Sequence, residues 1–534
     1  MRAKAIMVLG TSSHVGKSLV VAALCRIFAQ HGVRIAPFKS QNMSLNSAAI
    51  PEGLEIGRAQ ALQAEAARVA PSVHMNPILL KPSGDMTSQV VVLGKIWGTV
   101  SAKDYHLRRV EELLPIIRSS YETLAAEYDL IILEGAGSPA EINLKQHDIV
   151  NMRMAELADA SCLLLGDIDR GGVFASLLGT VELLDPHEQD RVLGFAINKF
   201  RGDLKLLEPG IAMMQDRLRK PCLGVIPYLH GLTLEEEDSL GLPEQRDIAW
   251  PMSDRPERPL RIAVIALPSF SNFTDFDALC SEPSVSLQFC RTASLLPDAD
   301  VIILPGSKQT VEDLLWLQAN GLDAVILKHA QHSLVVGICG GMQMLGIQIT
   351  DPLGMERAGS TCGLGLLPIQ TTMLAQKVTI PIRGTLASSA LFGQTLPQTE
   401  IAGYEIHIGD TTYLEGAQAF ANIARDINPG AQLADGCIGP GGQCFGTYVH
   451  GIFDSDEFRH AFLSAARAFH MLAAVRNYEP WKAKREASLQ RLASEVEQSL
   501  DMDRLFAWAG LTYPSASAPQ QESPLSKAHV EVPE

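Results

Sequence analysis

The chain has 534 residues, more than one hydrophobic core usually serves, and its 46% hydrophobic and 19% charged residues suit a globular protein of two sizeable domains. A formal net charge of −16 excludes a general nucleic-acid binder, which needs basic surface to replace phosphate counterions, and no apolar run approaches the roughly 20 residues that cross a bilayer. Nine cysteines without a C-x-x-C pair or zinc spacing indicate reduced thiols in a cytoplasmic protein, most of them packing residues such as Cys25.

The opening MRAKAIMVLG has two basic residues and a short apolar run, but GTSSHVGKS follows at once without a cleavage site. Lys4 to Leu9 is therefore read as a buried strand. A helix is predicted over Lys17 to His31, with Val20, Leu24, Ile27 and Phe28 on one face and Gly32 ending it. The loop between them is rich in glycine. Backbone N–H groups reach phosphate oxygens only where no side chain obstructs them, and the helix N-terminus adds a positive field. Gly10, Thr11 and Gly16 are the loop candidates for ATP binding, Lys17 would neutralise the outer phosphates, and the Ser18 hydroxyl would ligate Mg²⁺. Five residues, not the usual four, separate Gly10 from Gly16.

A short strand is expected over Val33 to Ala36. Beyond it, PFKSQNMSLNSA presents Lys39, Gln41, Asn42 and Ser44, and LLKPSGDMTSQV presents Lys81. These are substrate candidates, because α/β folds place ligands past the ends of strands; each reads equally as an exposed polar loop. Further strands are expected over Leu130 to Leu133, Cys162 to Leu165 and Val192 to Ile197. GDIDRGG, with Asp167, Asp169 and Arg170, is either a metal or anion site or a charged turn.

The proline- and charge-rich WPMSDRPERP reads as a linker. The expected organisation is a phosphate-loop domain over 1–250, a linker over 251–259, a second domain over 260–475, helices over 476–512 and a disordered tail over 513–534. RIAVIAL, DVIILPG and LVVGICG restart the strand rhythm. The fold class is therefore α/β, with two doubly wound, mainly parallel-sheet domains. In LVVGICGGMQMLG a strand runs into Cys339, two glycines and a helix. A sharp turn of this kind exposes a nucleophile at a helix N-terminus, where a thiolate is favoured. GTYVHGIFD supplies His450 as its base, and the backbone of Gly306 and Ser307 in ILPGSKQT would stabilise an oxyanion. GYEIHIG, with Glu405 and His407, receives no role.

The pattern G-T-x-x-x-V-G-K-S resembles the loop of dethiobiotin synthetase and its relatives, which use ATP to phosphorylate a carboxylate. That resemblance implies a second Mg²⁺ ligand, Glu134 of DLIILEGAGSP, and an adenine contact from Asn198 of GFAINKFRGD, where Lys199 follows. The second half resembles class I glutamine amidotransferases, in which the cysteine attacks the glutamine amide and frees ammonia. Their H-x-E pattern is broken here, with Ile452 in place of the glutamate. An ammonia source joined to a carboxylate activator makes an amide through an acyl phosphate.

The tandem order together with PFKSQNMSLNSA, LLKPSGDMTSQV, GDIDRGGVFAS and NKFRGD resembles the cobyric acid synthase family over about residues 4 to 470. The resemblance implies ATP- and glutamine-dependent amidation of the b, d, e and g carboxylates of adenosylcobyrinic acid a,c-diamide. Corrinoid, glutamine and ATP would be the only partners, with no nucleic acid, no membrane and no tightly bound organic cofactor. Two alternatives stay open: a cobyrinic acid a,c-diamide synthase, and a nucleotide switch that binds a protein partner. Cys339 and His450 argue against the switch, which needs no glutaminase.

Overall fold

The computed structural model describes residues 3–82, 87–101, 110–234, 250, 256–475 and 478–514. Linker residues 251–255, tail residues 515–534 and part of LLKPSGDMTSQV (83–86) lie outside the described residues. The first sheet is parallel throughout, in the order Cys222–Pro227, Val192–Phe200, Ser161–Asp167, Lys4–Gly10, Leu130–Glu134, Ile35–Phe38. Its strands are apolar runs because helices cover both faces. Alternation along the strand serves the two layers: Met7, Leu9, Ile131 and Leu133 enter one core, and Ile6, Val8, Leu130 and Ile132 the other. The Val33 to Ala36 strand lies two residues later than expected, at Ile35–Phe38, because Arg34 turns away to pair with Asp129 at 2.6 Å.

The second sheet runs Val285–Cys290, Leu260–Ile265, Val301–Leu304, Leu334–Ile338, Cys444–Thr447, Cys437–Ile438, parallel except at its last edge. Beside it stands a seven-stranded sheet built on the antiparallel pair Ile369–Leu386 and Glu400–Tyr413. This sheet was not expected. Its strands are half exposed and polar, so they lack the continuous apolar signal of the parallel ones. In the first domain Gln41–Met43, Ile78–Pro82, Thr87–Val92 and Lys95–Ser101 form a smaller mixed sheet.

The C-terminal helices Trp481–Ser499 and Met502–Trp508 return to the first domain. Leu489, Leu492, Ala493 and Val496, at i, i+3, i+4 and i+7, pack against the helix Lys17–Gln30. Arg26, buried, forks onto Glu486 at 2.6 and 2.9 Å. The Phe506 ring stacks on Phe28 with centroids 4.3 Å apart. These helices therefore clamp the helix that follows the phosphate loop. Phe506→Ala is expected to lower unfolding free energy by about 3–5 kcal/mol. Glu486→Ala leaves the buried Arg26 guanidinium without its carboxylate and is expected to cost about 1–3 kcal/mol, less than the aromatic truncation because Glu486 is half exposed. Urea denaturation of both variants checks the ranking.

Candidate active site

The phosphate loop, Glu134, Lys39, Gly306 and Cys339 sit at or just past the carboxyl ends of parallel strands, where the chain leaves the sheet. Gly10 closes the first strand, and Thr11 N–H donates to Leu165 O at 3.0 Å. Gly16 has φ +94, a conformation that favours glycine, and its carbonyl starts the helix by accepting from Val20 N–H at 3.1 Å. The Lys17 ammonium lies over the loop, 2.9 Å from Ser12 O and 3.1 Å from Gly137 O.

Ser18 and Glu134 meet: the hydroxyl donates to Glu134 Oε1 at 2.8 Å. Lys39 Nζ donates to the same oxygen at 2.8 Å, and Gln63 Nε2 to Oε2 at 2.5 Å. A hydroxyl and a carboxylate side by side are hard oxygen donors of the kind Mg²⁺ takes together with phosphates and water. Among the described residues no group of three or more His, Cys, Asp or Glu gathers as a metal cluster.

Other expected groups are held by hydrogen bonds near the loop. Asn198 donates its Nδ2 to Val15 O at 2.8 Å and braces the phosphate loop. Lys199 does the same, reaching His14 O at 2.6 Å and Asp167 at 3.0 Å. Asp167, Asp169 and Arg170 form a charged turn: Asp167 accepts from Asp169 N–H at 2.8 Å, Asp169 pairs with Arg201 at 3.2 Å, and Arg170 stands 4.0 Å from Asp167. Asn42, Ser44 and Lys81 are buried rather than exposed. Asn42 donates to Gln60 at 3.1 Å, Ser44 Oγ accepts from Asn46 N–H at 3.0 Å, and Lys81 reaches Ser47 Oγ and Glu55 at 2.8 Å each. Gln41 differs, for it opens onto a cleft of ≈ 590 Å³ beside the phosphate loop, with Ser13, Met43, Gly137, Leu144 and Asn151.

In the second domain Cys339 follows the strand Leu334–Ile338 with φ 50 and ψ −108, a strained turn for a residue with a Cβ. The turn is crowded. A Cβ on Gly341 would overlap Leu304 O, and one on Gly340 would sit 3.0 Å from Ser307 N. Cys339 N–H donates to Thr447 O at 2.8 Å, which ties the turn to the strand leading to His450. A Cβ on Gly306 would lie 2.8 Å from His450 Cε1. Thiol, imidazole and the Gly306–Ser307 backbone are thus brought together.

The missing orienting carboxylate is Asp275. Its Oδ2 lies 2.7 Å from His450 Nδ1, and its Oδ1 accepts from Gly451 N–H at 2.9 Å. It comes from the 3₁₀ turn Phe273–Phe276, about 175 residues before the histidine. No local spacing marks it; only its place after the first strand of the domain, in FSNFTDFD, hinted at it. Ile452 is plain core. Glu405 does not serve, because it holds Arg425 at 2.7 Å and His407 at 3.3 Å. Burial opposes charge on His450, but Asp275 and the Cys339 sulfur outweigh it and push its pKa up to about 10. The arrangement can hold an imidazolium beside the Cys339 sulfur and then protonate a leaving amine.

Comparison with known proteins agrees with this division. Residues 6–240 match the CobQ/CobB/MinD/ParA nucleotide binding domain, and residues 261–458 match the CobB/CobQ-like glutamine amidotransferase domain. The chain is a nucleotide-binding domain fused to a glutamine amidotransferase domain. It is 48% identical over 514 residues to the cobyric acid synthase of Moorella thermoacetica, covering 96% of this chain and 98% of that one. It is 45% identical over 524 residues to that of Pelotomaculum thermopropionicum (97% and 98% covered), and 48% identical over 525 residues to that of Sorangium cellulosum (96% and 99%). The chain belongs to the cobyric acid synthase family.

Asp275→Asn removes the carboxylate that raises the His450 pKa and leaves burial to lower it. Glutaminase kcat/KM is expected to fall by about 10²-fold or more. The alkaline limb of its pH profile should move to lower pH, since the imidazolium is lost earlier. Initial rates of glutamate release between pH 6 and 10 check both the size and the sign.

Proposed function

We propose that this enzyme amidates the b, d, e and g carboxylates of adenosylcobyrinic acid a,c-diamide, with glutamine as nitrogen source and one ATP per amide, as a glutamine-hydrolysing carbon–nitrogen ligase. The observation that carries the reading is the presence on one chain of the Cys339–His450–Asp275 constellation and of a phosphate loop whose Ser18 abuts Glu134. A switch protein has no use for the first, and a free glutaminase none for the second.

The Cys339 sulfur attacks the glutamine side-chain carbonyl, while the backbone of Gly306 and Ser307 receives the developing oxyanion. His450 protonates the departing nitrogen, and water then releases glutamate from the thioester. In the first domain the corrinoid occupies the cleft beside the phosphate loop. Met43 and Leu144, both exposed and apolar, suit the face of a large ring. A peripheral carboxylate attacks the γ-phosphate of ATP, with Lys17 neutralising the transferred group. Ser18 and Glu134 would hold Mg²⁺, which neutralises phosphate charge when bound. Lys39, poised on Glu134, and Gln41 are the nearest candidates for meeting the acceptor carboxylate. The cleft is open to solvent, so a partly amidated ring can leave and return in a new orientation. A nucleophilic thiol among nine cysteines that form no disulfide suits a reducing, cytoplasmic setting. No helix among the described residues is long and apolar enough to cross a membrane.

Mass spectrometry of corrinoid incubated with enzyme, ATP, Mg²⁺ and glutamine is expected to show four added amides on the a,c-diamide. Amidation of the acid lacking a,c-amides, with none on the diamide, would favour the a,c-diamide synthase instead. Cys339→Ala should abolish glutamine-dependent product but keep synthesis with ammonium chloride; equal loss with both nitrogen sources would overturn the division of labour. Lys17→Ala should lower synthesis from either source by about 10²-fold or more.

A further inference from the structure

The cavity over Cys339 carries more charge than the attack on an amide uses. Most of the polar groups on its wall are committed elsewhere. Lys81 and Lys377 both hold Glu55, at 2.8 and 2.6 Å. His407 is hydrogen-bonded to Gly409 O at 2.7 Å and to Glu405 at 3.3 Å. Gln343 Nε2 donates to the Tyr448 hydroxyl at 3.0 Å. Asn272 Oδ1 accepts from Ser47 N–H, and Asn46 Oδ1 from Phe273 N–H, each at 3.2 Å, which closes the wall shared with the first domain.

Two groups on the same wall are not committed. Lys308 Nζ has no hydrogen bond or ion pair among the described residues. Glu356 uses one oxygen only: Oε2 accepts from Val311 N–H at 3.0 Å, in the first turn of the helix Thr310–Ala319. The two feel each other's charge but form no ion pair. Burial accordingly lowers Lys308 to about 8 and raises Glu356 to about 7. Both are held in place by their backbones. Lys308 N–H donates to Ser269 O at 2.9 Å, and the Asp351 carboxylate accepts from the N–H groups of Met355, Glu356 and Arg357 at 2.9, 2.8 and 2.9 Å.

A cation and an anion held apart on one cavity wall, each short of a partner, match the carboxylate and ammonium that an α-amino acid carries on one carbon. Such charges are costly to bury alone, and a zwitterion satisfies both at once. The direction of the ligand follows from the chain. Lys308 is next to Ser307, whose backbone nitrogen would lie 3.0 Å from a Cβ on Gly340, the neighbour of Cys339. The polar end of the amino acid thus lies against Lys308 and Glu356 and its side-chain amide against the thiol.

We infer that Lys308 binds the α-carboxylate of glutamine and Glu356 its α-ammonium, so that this pair sets the amide at Cys339 and turns away amides that lack an amino-acid end. This rests on Cys339 being the nucleophile that attacks glutamine.

The test labels Cys339 of the full chain with two reagents and follows its peptide by mass spectrometry. 6-Diazo-5-oxo-L-norleucine carries the α-amino and α-carboxyl groups, and iodoacetamide carries neither. Lys308→Met and Glu356→Gln should each slow labelling by the diazo compound at least about tenfold and leave iodoacetamide within about threefold of the parent, because a hydrogen bond to a charged group is worth at least that factor. Each should also raise the glutamine KM at least about tenfold while kcat for glutamate release stays within about threefold, the sign of lost uniform binding. Lys308→Arg, which keeps the cation, should recover most of the KM. Equal slowing with both reagents overturns the assignment, because the pair would then shape the thiol and not the substrate. Unchanged labelling with both overturns it as well, and so does a fall in kcat at constant KM. Glutamate release that survives Cys339→Ala would instead overturn the underlying reading of the thiol.

Discussion

Glu134 is a carboxylate with only 1% of its surface exposed, and a charge so deep persists only if it is paired and hydrogen-bonded. Ser18, Lys39 and Gln63 all converge on it. Each belongs to a different segment: the helix after the phosphate loop, the run after Ile35–Phe38, and the helix Arg58–Ala66. One buried charge thus fixes the loop and the QNMSLN segment relative to each other. Losing any partner leaves the carboxylate under-compensated, so the synthetase site is rigid as a unit. The loop and the segment approach to within hydrogen-bond distance of the same carboxylate.

The glutaminase half obeys a steric constraint of a similar kind. The positive φ at Cys339 requires neighbours without side chains, and Gly340 and Gly341 provide them against Ser307 and Leu304. The strained turn is held because Cys339 N–H is tied to Thr447 and the helix Gly340–Leu345 is buried throughout. His450 follows three residues after the neighbouring strand Cys444–Thr447, on the short strand Val449–His450, and Asp275 fixes its ring. Strain at Cys339 is offset by packing around it.

Between the domains the same residues serve both sides. Glu55 on the hairpin strand Leu54–Gly57 takes Lys81 from its own domain and Lys377 from the other. Burial alone would make it a neutral acid, but the two lysines hold its carboxyl well below the usual carboxylate range. The domains therefore meet through a buried ionic contact as well as through Asn46 and Asn272. Such contacts demand a defined register, which suits a joint that two active sites must share.

The parallel strands, the phosphate loop, Cys339 and His450 were legible in the sequence because each rests on local physics: an apolar run, a glycine turn, a strand-to-helix switch. The antiparallel sheet was not, since Ile369–Leu386 and Glu400–Tyr413 alternate too weakly to announce their pairing. Asp275 was hidden for a different reason. A carboxylate that orients a histidine across about 175 residues of chain is defined by proximity alone. Local spacing determined where the glycine turn before Lys17 and the strand-to-helix turn at Cys339 fall. Tertiary structure decided which polar groups of QNMSLN turn inward, which carboxylate serves the imidazole, and that Leu45 and Lys81 border the thiol's cavity, because burial and cross-domain hydrogen bonds depend on neighbours that the linear order does not contain.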